Sequence, residues 1–211
     1  MLEWEIQTIT LSCMKVELIA ITPDAERVIE LAARTCYQSG DRMIPEKLGE
    51  LLPKLIAMGH ESPFEHAYAT FRISGVSRAM THQLVRHRLM AVSQKSQRYV
   101  SEGNFDWVIP PAVTAKSRAE FDADMEVIRA MYKKWKDKGL KNEDARFVLP
   151  NACTTELMVS ANFREWRHVF GVRCHRRAQW EIREVCLDML KMLARQAPHV
   201  FADLAGKYLE T

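Results

Sequence analysis

The 36 residues between Glu65 and Glu102 contain no aspartate or glutamate, although the 211-residue chain holds 27 acids against 30 Lys and Arg. The same window carries Arg72, Arg78, Arg86, Arg88, Lys95 and Arg98, with His66, His82 and His87. A strand and a helix must therefore be built from a stretch whose cations have no acid nearby along the chain. A second cluster, Arg164, Arg167, Arg173, Arg176, Arg177 and Arg183, follows Asn162. Unpaired arginines in such numbers repel one another unless an anion sits among them, and the guanidinium fork suits phosphate in two-point geometry. The pattern asks for a polyanionic ligand.

A solvated basic face is the plain alternative. Against it, the first cluster is dense in directional polar groups: Ser93, Gln94, Ser96, Gln97 and Tyr99 beside Arg86, His87, Arg88 and Arg98. Two polyanion classes remain open. Nucleic acid calls for spread cations with aromatics for stacking. A small phosphorylated ligand or nucleotide cofactor calls for a few convergent arginines with polar specificity groups. No GxGxxG or P-loop pattern is present, so neither of those phosphate cradles is supported.

Composition narrows the class. With 47% hydrophobic and 27% charged residues the chain is an ordinary globular one, which excludes disorder, and a net charge of +3 says little about partners. Residues 1–211 are expected to form a single α+β domain, rich in helix, around a small antiparallel sheet. Five cysteines, Cys13, Cys36, Cys153, Cys174 and Cys186, show no CxxC pair and point to reduced thiols in a cytoplasmic protein. The first residues lack a basic segment followed by an unbroken apolar one, so no signal peptide is expected, and no run is long enough for a membrane span.

Along the chain, Met14 to Ile21 reads as a buried strand, and Thr22-Pro23 as the cap and first residue of a helix reaching about Cys36. A helix follows Pro45, with Leu48, Leu51, Leu52, Leu55 and Ile56 on one stripe, and stops at Gly59. His66 to Ile73 alternates as a strand, and Ser77 starts a helix ending near Arg86-His87-Arg88. Residues 115–138 form the clearest helix, with Phe121, Met125, Ile128, Tyr132 and Trp135 in register and Gly139 past its end. Tyr132 and Trp135 are expected in core or interface packing. Asn142 is expected to cap a short helix carrying Arg146. Glu156 to Ala161 reads as a strand, Asn162 as a cap, and about Arg177 to Arg195 as a last long helix.

Arg86-His87-Arg88, seven residues, then Ser96 resembles the RHR-x7-S signature of flavin-dependent thymidylate synthases. The neighbours match over most of the chain. Residues 59–66, GHESPFEH, resemble the family's upstream element, Arg146 to Pro150 its RxVLP segment, and Asn162, Arg164, Arg167, His168 and Arg173 its N-x-R…R segment.

The resemblance implies methylation of dUMP at C5, with methylenetetrahydrofolate as carbon donor and FAD carrying hydride from NADPH. It implies FAD contacts at Ser62, Arg86, His87, Arg88, Gln94, Asn162, Phe163, Arg164 and His168. It implies dUMP contacts at Gln83, Leu84, Val85, Arg86, Gln94, Lys95, Ser96, Gln97, Arg98, Arg146 and Arg173, with Arg173 ionising the uracil N3. A homotetramer with active sites shared between chains is implied too, with no nucleic acid or membrane partner. The chain departs from the family at Ser93-Gln94, where many members have Asn-Glu, and at His168, where some have Asn. Gln94 keeps the length and acceptor oxygen of Glu and loses its charge. His60 matches a family histidine near the flavin, and also reads simply as a turn residue beside Gly59.

Two nucleophile readings fail on chemistry. Cys174 has no base at a diagnostic spacing. Ser96 is surrounded by cations and amides, none of them a base with an orienting partner. Ser96 is expected to hydrogen-bond substrate.

Overall fold

The computed structural model describes residues 7–11 and 14–210, so Cys13 and the first six residues lie outside the described region. Five antiparallel strands form one sheet: β1 (Gln7–Leu11), β2 (Met14–Ile21), β3 (Tyr68–Ser77), β4 (Ala91–Gln94) and β5 (Thr154–Asn162), in the order β1-β2-β3-β5-β4. Alternation decides its two faces. Val16 and Leu18 of β2, Ala69, Phe71 and Ile73 of β3, and Leu157, Val159 and Ala161 of β5 are all buried on one side. On the other side Thr70 bonds Ser160 at 2.8 Å, and Arg72 bonds Glu156 at 2.8 Å.

Helices cover the apolar face: α1 (Ala25–Thr35), α6 (Phe163–Arg173), α7 (Trp180–Gln196) and α8 (Pro198–Leu209). Trp166 of α6 lies edge-on to Phe71 at 5.2 Å, and its indole N–H reaches the Ala69 carbonyl at 3.1 Å. Ile182, Val185, Met189 and Met192 of α7 are buried as their spacing requires, while Trp180 is only half-buried. The sequence-based class, α+β around an antiparallel sheet, is the observed one. No helix of the described residues is long and apolar enough to cross a membrane.

Smaller elements follow: α2 (Leu52–Ala57), α3 (Arg78–Leu84), α4 (Arg118–Asp137) and α5 (Asn142–Ala145). The register of β3 on β5 shifts between Ser74 and Val76, and Gly75 there has φ 69°, which a side chain would strain. The bulge re-aims the end of β3 into α3. Tyr132 of α4 is fully buried and Met125 nearly so, while Trp135 is half-buried with Lys134 and Lys138 over its ring.

Several local expectations need correction. Thr22 is no helix cap: its hydroxyl accepts the Tyr68 N–H at 2.9 Å, tying β2 to β3, and α1 begins after Asp24 without a side-chain cap. The stretch after Pro45 is a 3₁₀ turn, Pro45–Lys47, and the regular helix waits until Leu52. Lys141, rather than Asn142, precedes α5. β1, β4 and α8 carry no expectation from the sequence.

Candidate active site

The site is built where α3 meets α6. Ser77 caps α3 through a 3.0 Å bond to the Met80 N–H, and its own N–H and hydroxyl donate to Glu181 of α7 at 2.6 and 2.5 Å. Burial pushes the Glu181 carboxyl up, with the Ser77 bonds opposing it. The start of α3 is thus pinned to the core, and its far end delivers Gln83 and then Arg86-His87-Arg88.

Asn162 caps α6 by accepting the Glu165 N–H at 2.8 Å, and the helix runs unbroken to Arg173. The eleven-residue spacing, close to three turns, places Asn162 and Arg173 at opposite ends of one rigid element. Arg173 Nε donates to His87 Nε2 at 2.9 Å, and Nη2 donates to the Gln83 carbonyl at 3.2 Å. His87 is 8% exposed; its Nδ1 lies 4.0 Å from Glu165 Oε1, and its ring meets His168 edge-on at 5.7 Å. Burial, the Arg173 charge and then His168 push its imidazole down to about 4. It is therefore neutral at neutral pH and able to accept at Nε2. Burial also pushes the Glu165 carboxyl up, against the pull of His168.

Beside this cluster opens a cleft of about 710 Å³ lined by Glu61, Glu65, Leu89, Asn162, Arg164, Glu165, Arg167 and His168. Two of its arginines are already neutralised. Arg164 pairs with Glu65 at 2.5 Å and Glu61 at 3.4 Å. Arg167 grips Asp203 with two bonds of 2.7 Å and also donates to the Val200 carbonyl. Ser62 opens the 3₁₀ turn Ser62–His66, which Glu61 precedes and which carries Glu65. Arg86 and Arg88 are exposed, and among the described residues neither side chain has an acid or hydrogen-bond partner. The side chain of Phe163 is fully buried against Phe201 at 5.1 Å, and its backbone N–H donates to the Ala67 carbonyl at 2.8 Å, so the expected ligand contact there is not one the side chain can make. His60 lines a different cleft, with Tyr37, Arg42 and Met58.

Past β4 the expected nucleotide segment is more self-contained. Gln94 Nε2 donates to Thr81 at 2.9 Å and Thr155 at 3.3 Å. Lys95 pairs with buried Glu102 at 2.9 Å, Arg78 holds the Lys95 carbonyl at 3.0 Å, and Arg98 pairs with Glu143 at 2.6 Å. Arg146 donates to the Glu143 carbonyl at 3.1 Å, Ser96 accepts the Arg98 N–H at 3.2 Å, and Gln97 reaches Cys153 Sγ at 3.7 Å. Leu84 is fully buried and Val85 exposed.

The premise of unpaired cations is thus corrected for Arg72, Arg98, Arg164 and Arg167, whose acids arrive from distant positions, and for Lys95, which is met by Glu102 at the end of the acid-free window. It stands for Arg86 and Arg88. The structure brings Gln83, Arg86, His87, Arg88, His168 and Arg173 together, and Gln94 to Arg98 with Arg146. The short strand β4 separates the two groups, rising about 3.3 Å per residue. Cys174 is fully buried and its thiol is pushed up to about 12 by burial, which removes it as a nucleophile.

Sequence reasoning missed Glu165, Glu181, Glu102, Glu143, Thr81 and Thr155. Glu165 lies three residues after Asn162 and reads as a helix-start acid. The others touch the site only through the fold.

The family model described as thymidylate synthase complementing protein matches residues 17–199. A flavin-dependent thymidylate synthase of Geobacter sulfurreducens is 46% identical over 200 residues, covering 90% of this chain and 86% of that protein. Those of Nitratidesulfovibrio vulgaris and Pyrococcus furiosus are 41% and 39% identical, covering 92% and 87% of this chain and 87% and 80% of theirs. The matched span takes in the second half of β2, every later strand and both halves of the site, so the chain belongs to the thymidylate synthase complementing protein family, that of the flavin-dependent thymidylate synthases.

Proposed function

We propose that this chain converts dUMP to dTMP, adding at C5 a carbon from methylenetetrahydrofolate with NADPH as reductant and FAD as carrier. The observation that carries the reading is Arg173, held by His87 and Gln83 against the Arg86-His87-Arg88 segment and, among the described residues, paired with no carboxylate. Two of its five N–H groups are used, and three remain for a ligand.

The donor set suits a dinucleotide flavin. Arg86 and Arg88 are uncompensated cations for a pyrophosphate, and Leu89, 76% exposed at the cleft, offers apolar surface for a ring. Ser62, Asn162, His168 and, after its carboxylates turn away, Arg164 complete the flavin side. Gln94 is held inward by two threonines and contributes through its remaining amide oxygen. The flavin supplies hydride transfer between NADPH and the carbon being delivered.

For dUMP, the Gln83–Arg86 backbone and Ser96 to Arg98 with Arg146 form the binding groups, and Lys95 acts through its backbone because its ammonium is paired with Glu102. Removing the N3 proton pushes electron density into the uracil ring and makes C5 more nucleophilic. Arg173 stabilises that anion, since a guanidinium stays charged where an ammonium would not.

Exposed Tyr99 at 76% and Phe147 at 84% flank the nucleotide segment, which favours a neighbouring subunit over each site in a homotetramer. Free Cys36, Cys153, Cys174 and Cys186 fit a reducing compartment, the cytoplasm. The test is tritium release from dUMP labelled at C5, with folate present and NADPH added or withheld. Release only with NADPH, from a protein with a flavin absorption band, is expected; a colourless, inactive protein refutes the reading.

A further inference from the structure

We propose that His87 is the positioning residue of Arg173, its Nε2 holding the guanidinium by one edge so that the opposite edge, fully charged, meets the uracil. This rests on the reading of Arg173 as the uracil-facing cation. It also moves the His87 side chain out of the set of flavin contacts.

Arg173 is the last residue of α6, and an arginine in that place has many rotamers to choose from. Two fixed acceptors remove the choice: His87 Nε2 at 2.9 Å takes the Nε–H, and the Gln83 carbonyl at 3.2 Å takes an Nη2–H. Both come from the end of α3 and the turn after it, which Ser77 and Glu181 anchor at the other end. The His87 side chain is buried between Arg173 and Glu165, so it has no free edge for a cofactor.

The identity of the acceptor matters more than its strength. A carboxylate would hold a guanidinium more firmly, as Asp203 holds Arg167 and Glu65 holds Arg164. It would also cancel the positive charge that must face the uracil anion. An imidazole without a proton at Nε2 fixes direction and leaves the charge intact. Because Nε2 accepts, the ring proton sits on Nδ1, where it points to Glu165 Oε1 at 4.0 Å. Arg173, Glu165 and His168, all on α6, are the charged or titratable groups facing this ring, and burial, the Arg173 charge and His168 keep it unprotonated.

The test compares three holoenzyme variants in two assays on one sample: flavin reduction by NADPH and dTMP formation. His87→Leu removes the acceptor and should lower kcat for dTMP formation roughly 10- to 100-fold, with flavin reduction retained. His87→Gln can place an amide oxygen near the position of Nε2 and should recover most of the loss. His87→Glu supplies an acceptor with a charge and should be as poor as His87→Leu. Equal activity of the Leu and Gln variants overturns the acceptor role, and a Glu variant as active as wild type overturns the need for an uncharged one. Should His87→Leu fail to fold, the Gln and Glu pair still decides. ¹⁵N NMR of the histidines in the wild-type protein without substrate gives an independent readout. An Nδ1–H tautomer at His87 is expected, and an Nε2–H tautomer or an imidazolium overturns the arrangement. If wild type makes no dTMP, the functional reading fails while the tautomer still reports on the His87–Arg173 bond.

Discussion

The turn leading into β4 and the one leaving it carry two cations each, and the fold treats them oppositely. Lys95 and Arg98, after the strand, are met by Glu102 and Glu143. Arg86 and Arg88, before it, meet no acid among the described residues. Along the sequence the two pairs look alike, since both fall in the same acid-free window. In space, only the Arg86 and Arg88 pair still needs an anion. Charge counted along a chain marks where a ligand could sit; charge counted in the fold marks where the protein has left room for one.

The largest effect that would sharpen this contrast is at Arg173, which shares the acid-free side. Arg173→Lys keeps a cation but loses the planar two-point contact. Methylation should fall by roughly 10²-fold, about 3 kcal/mol, with NADPH-driven flavin reduction preserved. Equal loss of both reactions on one sample would break the assignment. Next comes the pair itself. Arg88→Ala should weaken flavin binding by about 2 kcal/mol, enough to give a folded, pale protein, while Arg98→Ala should keep its colour and bind dUMP more weakly. Flavin occupancy and dUMP titration of the two proteins decide it. Full occupancy in Arg88→Ala would mean that the unpaired side is merely solvated.

Acid should act on the unpaired side too. His87 titrates near 4 in the folded protein and near 6.5 once unfolded, so the unfolded chain binds the extra proton first as pH falls. Stability should therefore drop below pH 6.5 and level off under pH 4, by about 2 kcal/mol between pH 7 and pH 5 from this group. His87→Gln should flatten that limb in melting curves taken across the range; an unchanged slope would assign the acid sensitivity elsewhere. The smallest effect belongs to the paired side. Ser96→Ala should cost about 1 kcal/mol in dUMP affinity, some fivefold, with turnover retained. Abolished chemistry at unchanged affinity would instead make Ser96 a nucleophile.

Local chemistry carried the parts of the fold that could be read from the chain alone. Ser77 and Asn162 cap their helices because a short polar side chain before an apolar stripe has one good use there. β2 announces itself by eight residues rich in apolar and β-branched side chains. β4 does not: its four residues, two of them Ser and Gln, gain strand character only by pairing with β5. α8 hides behind Pro198, with only Ala197 between it and the end of α7, so the two helices read as one along the sequence. In the site, motif spacing identified Arg86 to Arg88 and Arg173. It could not show that His87 bonds Arg173 across 86 positions or that Arg164 bonds Glu65 across 99, because such pairs exist only after the sheet has formed.

Gln94 has a consequence for how this site can drift. Its amide nitrogen gives hydrogen bonds to the hydroxyls of Thr81 and Thr155, so both threonines are receiving. A hydroxyl swivels, and can give as readily as receive. Put glutamate at 94, and Thr155 can turn its proton toward the carboxylate without a backbone atom moving, while Thr81 can do so by releasing the Arg78 carbonyl to which it now donates at 3.0 Å. The pair works as an adapter that accepts either plug, with one local hydrogen bond exchanged for another. Position 94 can then gain or lose a negative charge by a single substitution, and the local electrostatics can be retuned while the surrounding architecture stays as it is.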